Sequence, residues 1–192
     1  QLVKEFGVEE EKITVAPIHV NLKSKILNLK NKENKEHGLN SKFIFLTVSR
    51  LAPVKNISLQ IRAMAELIKK YPNTELWIVG DGLERKKLEL EIANYKLKNS
   101  VKLFGWQNNP DEFYSQADAF LLTSNYEGWG MVVVEATIFG LPIIMTDVGC
   151  AGELIENEKS GLVVPVKNQT KLQEAMIRLI SDDNLRNKLA EG

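Results

Sequence analysis

Two carboxylates, Glu127 and Glu135, bracket the stretch EGWGMVVVE, with two glycines, a tryptophan and three consecutive valines between them. Earlier in the chain, SRLAPVKN (49–56) places Arg50 and Lys55 in one short segment. Cations of this kind form charge-assisted bonds to a diphosphate. A carboxylate beside a diphosphate is repelled unless it binds something else, and sugar hydroxyls are suitable donors to it. Gly128 and Gly130 would let the backbone approach an anion without a Cβ clash. The plain alternative is two solvated acids around a loop and two ordinary surface cations. What decides between these readings is whether the elements carrying the residues bring them to one place.

From residue 42 onward the chain alternates strand and helix signals. KFIFLTVS (42–49), TELWIVG (74–80), VKLFG (101–105), DAFLLTS (118–124) and LPIIMTD (141–147) are short, largely apolar runs of buried-strand length. Between them lie helix patterns. Ile57, Ile61, Met64, Ala65 and Ile68 share one face, and a more exposed pattern spans 83–96. Pro110 followed by Asp111 and Glu112 suits a first helical turn. Leu172, Ala175, Met176, Leu179 and Ile180 form a later stripe. The alternation predicts an α/β fold, a Rossmann-like doubly wound parallel sheet with helices on both faces. MVVVEATIFG (131–140) reads locally as a strand, but it connects two parallel strands. A parallel crossover needs a helix, so a helix is expected there, with its valines against the sheet.

In such a sheet, ligands bind beyond the carboxyl ends of the strands. The turns after 42–49, 74–80 and 118–124 are SRLAPVKN, Gly80-Asp81-Gly82 and SNYEGWG. Arg50, Lys55 and the start of the 131–140 helix are therefore expected at one edge of the sheet. A helix start offers unpaired N–H groups and a positive dipole end to phosphate. Glu135, about one and a half turns into that helix, could accept bonds from both ribose hydroxyls. Glu127, in the loop, could meet a second polyol beyond the phosphates. Ribose, diphosphate and sugar in line describe a nucleotide sugar.

Taken in order, VSRLAPVKN (48–56), LWIVGDG (76–82), VKLFGW (101–106), ADAFLLTSNYEGWGMVVVEATIFGLPIIMTD (117–147) and GELIENEKSGLVVP (152–165) carry a definite resemblance. The chain resembles the C-terminal, donor-binding domain of a family 4 (group 1) retaining glycosyltransferase, the C-terminal half of a GT-B fold. The resemblance implies that Arg50 and Lys55 are the diphosphate-binding cations and that Glu127 contacts the donor sugar near its reacting carbon. These three are the expected catalytic residues. It implies that the amides of Gly130, Met131 and Val132 hold the β-phosphate and that Glu135 binds the ribose. Gly80 and Gly128 complete the donor-binding set, and Trp106-Gln107 falls where backbone groups meet the base. Trp129 stands where the family commonly has phenylalanine.

The same resemblance implies no metal and no cofactor, the nucleotide-diphosphate sugar being a substrate, and a glycan or lipid-linked acceptor. It also implies an N-terminal acceptor domain, with residues 1–22 as its tail and linker and 23–192 as the donor-binding domain. The chain alone is then expected to transfer little. Two alternatives stand beside this reading: a GT-B nucleotide-sugar epimerase and a non-catalytic nucleotide-sugar-binding module. The Glu-x7-Glu spacing speaks against the first. Intact Glu127, Arg50 and Lys55 speak against the second.

Composition narrows the classes further. Lys+Arg and Asp+Glu both number 25, and without a basic excess a nucleic-acid partner is not expected. Cys150 is the one cysteine, and His19 and His37 are the only histidines, which leaves no disulfide framework and no basis for a His/Cys zinc site. A reducing, cytoplasmic setting fits. No apolar run approaches the roughly 20 residues of a spanning helix. The Lys- and Asn-rich segment 23–38 reads as a solvated connector, with peripheral contact at the inner membrane face as its alternative. Arg85 stands where Gly80-Asp81-Gly82 would need a third glycine to be a dinucleotide fingerprint, and no P-loop occurs.

Overall fold

The computed structural model describes residues 42–192. Expectations that fall on residues 1–41 lie outside the described residues; these are the 22/23 domain boundary, the connector at 23–38, His19 and His37. In chain order the elements are β1 (Phe43–Val48), a 3-10 turn (Pro53–Lys55), α1 (Ile57–Leu67), β2 (Thr74–Val79), α2 (Arg85–Asn94) and β3 (Val101–Gly105). They continue with α3 (Asp111–Gln116), β4 (Ala119–Leu122), α4 (Met131–Ile138), β5 (Ile143–Thr146), β6 (Gly161–Val164), α5 (Gln169–Ser181) and α6 (Asp183–Glu191). The six strands pair in the order β3-β2-β1-β4-β5-β6, each pair parallel. That is the doubly wound α/β arrangement predicted, with its order reversing between β1 and β4.

Helices cover both faces: the central strands β1, β4 and β5 bury both of theirs, while the edge strand β3 is only partly buried past Val101. Phe45 of β1, Leu76 of β2, Leu121 of β4 and Ile144 of β5 face one core, shared with α1, α2, α5 and α6. Their strand neighbours Leu46, Phe120, Leu122, Ile143 and Met145 face the other, shared with α3 and α4. Helix α1 begins just past Asn56, which takes a left-handed conformation (φ 49°, ψ 44°), and buries Ile57, Leu59, Ile61, Met64 and Leu67.

The valine run is helical, as the topology demands. It does not turn all three valines to the sheet: Val133 is fully buried, whereas Val132 and Val134 are only partly so. Three successive helical residues spread around most of a turn, so one face cannot hold them all. Two elements, β6 and α6, fall outside the sequence-predicted set.

Registered pairing between β1 and β4 is confined to Phe45↔Ala119 and Leu46↔Phe120. Toward the carboxyl end the Thr47 hydroxyl adds a side-chain tie, donating to the Leu121 carbonyl at 2.9 Å. The loops after β1 and β4 therefore leave the sheet side by side at the point where strand order reverses. This is where an open α/β sheet has its crevice.

Candidate active site

The loop after β1 is fastened to the loop after β4 by a buried polar network. The Thr123 hydroxyl, one residue past β4, reaches the Lys55 and Asn56 carbonyls, each at 3.2 Å. It accepts in turn from Gln60 Nε2 at 2.9 Å. The Asn125 amide donates to the Val54 carbonyl at 2.7 Å. Across this fastening, Lys55 Nζ meets Glu127 Oε1 at 2.5 Å, and Ser124 Oγ donates to the same oxygen at 2.6 Å. The Lys55 and Glu127 side chains are only 19% and 10% exposed. Glu127 is thus a held carboxylate and not a solvated acid, and its Oε2 takes no part in either bond.

Three residues on, Gly130 caps α4 with φ 94°, and no side chain caps the amides at that helix start. The Met131 and Val132 amides are presented in the way anion-binding helix starts require. Glu135 follows in the second turn. Its Oε2 accepts from the Tyr114 hydroxyl at 2.8 Å. Tyr114 is fully buried, stacked on Phe139 at 5.2 Å and on Phe120 at 5.8 Å between ring centroids. Burial drives its phenol far above the ordinary range, and the neighbouring Glu135 charge drives it further, so the proton stays on the phenol.

A third loop closes on this turn from β5. Gly149 has φ 60°, and a Cβ there would lie 2.7 Å from the Trp129 carbonyl oxygen and 2.8 Å from Glu127 Cβ. Nothing larger than glycine fits. The Cys150 amide then donates to the Trp129 carbonyl at 3.0 Å. Burial pushes the Cys150 thiol up, and the Glu127 charge adds to this. It is a neutral, fully buried packing group, as expected of a cysteine with no activating base.

The structure therefore brings Lys55, Glu127, Gly130, Met131, Val132 and Glu135 to one corner. The other sequence-predicted residues sit differently. Arg50 begins the Lys55 loop, is exposed and bonds neither glutamate. Gly128 is exposed, and a Cβ there would meet nothing within 4 Å. Gly80 (φ 130°) lies where a Cβ would be 1.9 Å from the Ser49 carbonyl oxygen, which gives it a packing reason of its own. Trp106 and Gln107 follow β3, two strands from β1. Trp106 is 73% exposed, with Nε1 on Asn108 Oδ1 at 3.1 Å, and the Gln107 amide folds back onto the Phe104 carbonyl. Sequence reasoning missed Ser124, Tyr114, Thr123, Gln60 and Gly149. Only Ser124, three residues before Glu127, carried a local hint.

Fold and site together define the Rossmann-like half of a GT-B protein. More particularly, the chain belongs to the group 1 glycosyltransferases, whose family model matches residues 30–192. It is 30% identical over 203 residues to an Escherichia coli UDP-Gal:α-D-GlcNAc-diphosphoundecaprenol α-1,3-galactosyltransferase, covering 99% of this chain and 52% of the relative. The C-terminal domain of a group 1 glycosyltransferase from Francisella tularensis superposes with a TM-score of 0.71 at 25% identity, covering 86% of each chain. Anabaena HepE in complex with UDP and glucose superposes with a TM-score of 0.73 at 27% identity, covering 92% of this chain and 46% of that one. The chain spans between about a fifth and half the length of the curated relatives it matches.

Proposed function

We propose that this chain binds a nucleoside-diphosphate sugar at the β1/β4 crevice and serves a retaining glycosyl transfer to a glycan or lipid-linked acceptor. The observation that carries the reading is the Lys55–Glu127 contact, set beside an uncapped helix start at the strand-order reversal. Similarity to HepE, a structure holding UDP and glucose, supports a nucleotide-sugar donor. Similarity to a transferase whose name gives a diphosphoundecaprenol-linked sugar as acceptor supports a lipid-linked acceptor. Lys55, Arg50 and the Gly130–Val132 amides meet the diphosphate, Glu135 the ribose and Glu127 the sugar.

As the bond from the anomeric carbon to the leaving phosphate oxygen breaks, negative charge grows on the diphosphate. Fixed cations and amides stabilise it there, without a metal or cofactor. The acceptor hydroxyl attacks from the same face, its oxygen bonds the anomeric carbon, and its proton passes to the departing phosphate. Configuration is thereby retained. An acceptor domain completes the cleft, so the chain alone binds donor and turns over little.

Titration calorimetry with UDP-, GDP- and ADP-sugars tests the site. One nucleotide class is expected to bind, and Lys55→Ala and Glu135→Ala are each expected to weaken it by about tenfold or more, since each removes a hydrogen bond involving a charged group. Binding indifferent to both substitutions would place the donor elsewhere. In a complete two-domain protein, Glu127→Gln should lower transfer by about a hundredfold, the scale of one lost transition-state contact. NMR of the product anomer reads retention.

A further inference from the structure

We propose that Tyr114 is a positioning residue for donor recognition: its buried hydroxyl fixes the Glu135 carboxylate by one oxygen so that the other is presented to the ribose. The inference rests on the reading of Glu135 as the ribose-binding acid. Glu135 has three rotatable bonds, and its terminal carboxyl torsion is intrinsically broad. Among the described residues, no other side chain hydrogen-bonds it. Tyr114 is the opposite kind of group. Its ring is fully buried and stacked on Phe120 of β4 and on Phe139, which caps the end of α4.

A buried phenol needs an acceptor, and the one this hydroxyl has is Glu135 Oε2, at 2.8 Å. The contact therefore ties a mobile acid to the rigid centre of the second core. Oε1 is left as the oxygen able to receive ribose hydroxyls. Holding a ligand-binding group in its bound orientation before the ligand arrives removes an ordering cost from binding. The high pKa of the buried phenol keeps this bond a donor bond at every working pH.

The test is calorimetry with UDP, GDP and ADP, followed by the nucleotide that binds and its dideoxyribose analogue lacking both ribose hydroxyls. Tyr114→Phe removes one oxygen from an otherwise unchanged stack, and is expected to weaken nucleotide binding about fivefold, less than direct loss of a charged hydrogen bond. It should have no further effect in a Glu135→Ala background or on the dideoxy analogue. A purely structural role for the hydroxyl would weaken binding in all these cases alike. Glu135→Gln should lose nearly as much affinity as Glu135→Ala, because the phenol claims the amide oxygen and turns the amide nitrogen toward the ribose.

Full binding by Glu135→Gln overturns the proposal, as does Tyr114→Phe binding like the parent. Thermal melts confirm the fold of each variant, and the Glu135→Gln arm decides if Tyr114→Phe does not fold. Unchanged binding in Glu135→Ala would overturn the ribose reading itself, and with it the inference. A Glu135→Ala loss with an indifferent Tyr114→Phe confines the failure to Tyr114. Binding of none of the three nucleotides by the parent chain overturns both.

Discussion

Lys55 and Glu127 hold opposite charges at 2.5 Å where little water reaches. Such a pair is weakly screened and is expensive to break from one side, because the remaining charge stays partly buried. Lys55→Met leaves Glu127 with Ser124 as its partner. It is expected to lower stability by about 1–3 kcal/mol, below the figure for a fully buried pair. The double variant Lys55→Met/Glu127→Gln should recover most of that loss, and urea denaturation of the three proteins measures it. The same geometry bears on the donor. An arriving diphosphate competes for the Lys55 ammonium, so Glu127 needs a second tether if it is to keep its place. Ser124 supplies one at 2.6 Å. Ser124→Ala is accordingly expected to leave nucleotide affinity within about twofold while transfer by a complete protein falls about tenfold, the loss of one neutral-to-charged hydrogen bond. A parallel loss of affinity and turnover would give Ser124 a role in the ground state instead.

At the scale of elements, what was legible in the sequence is what topology dictates. Five strands and the crossover helix over the valine run follow from alternation alone, because a parallel connection overrides the valines' strand preference. Strand β6, Gly161–Val164, is wedged between the polar stretch ENEKS and Pro165, and α6 buries only Leu189, so neither declares itself as an element. Tyr114 sits in the six-residue α3, too short for a pattern, and its partner lies 21 residues away. The Gln60–Thr123 fastening is likewise a contact across 63 residues that only the folded sheet creates. Its members are not equivalent. Thr123 holds two loop carbonyls, whereas Gln60 leaves its own Oε1 buried without a partner. Thr123→Val should therefore destabilise by about 1–2 kcal/mol and weaken donor binding by freeing the Lys55 loop. Gln60→Leu, which removes a buried unsatisfied oxygen, should be within about 1 kcal/mol of neutral. Denaturation and calorimetry on the two variants separate the roles, and equal losses would mean the network acts as one unit.

Across the whole molecule, the carboxyl end of the sheet carries the site and the amino end carries a different electrostatic device. Glu75, second residue of β2, is 3% exposed in a strand that pairs along its full length with β1. Burial pushes its carboxyl up. Bonds from Lys102, Lys42 and the Trp77 indole outweigh that and hold it at about 2, against an ordinary 4.5. The unfolded chain therefore takes up this proton near 4.5, while the folded chain keeps the carboxylate ionised until about 2. Stability from the cluster is complete above the unfolded value and drains away as pH falls through that window. Because Lys42 and Lys102 are 60% and 41% exposed, salt and solvent reduce its worth to about 2 kcal/mol. Glu75→Gln should lose about that much at neutral pH, and its urea midpoint should change less than the parent's between pH 4.5 and 2. Nucleotide binding at neutral pH should be untouched, since the cluster lies at the far end of the strands from Lys55 and Glu127. An equal acid slope in both proteins would mean that the lysines do not hold this carboxylate, and that packing alone secures the amino end of the sheet.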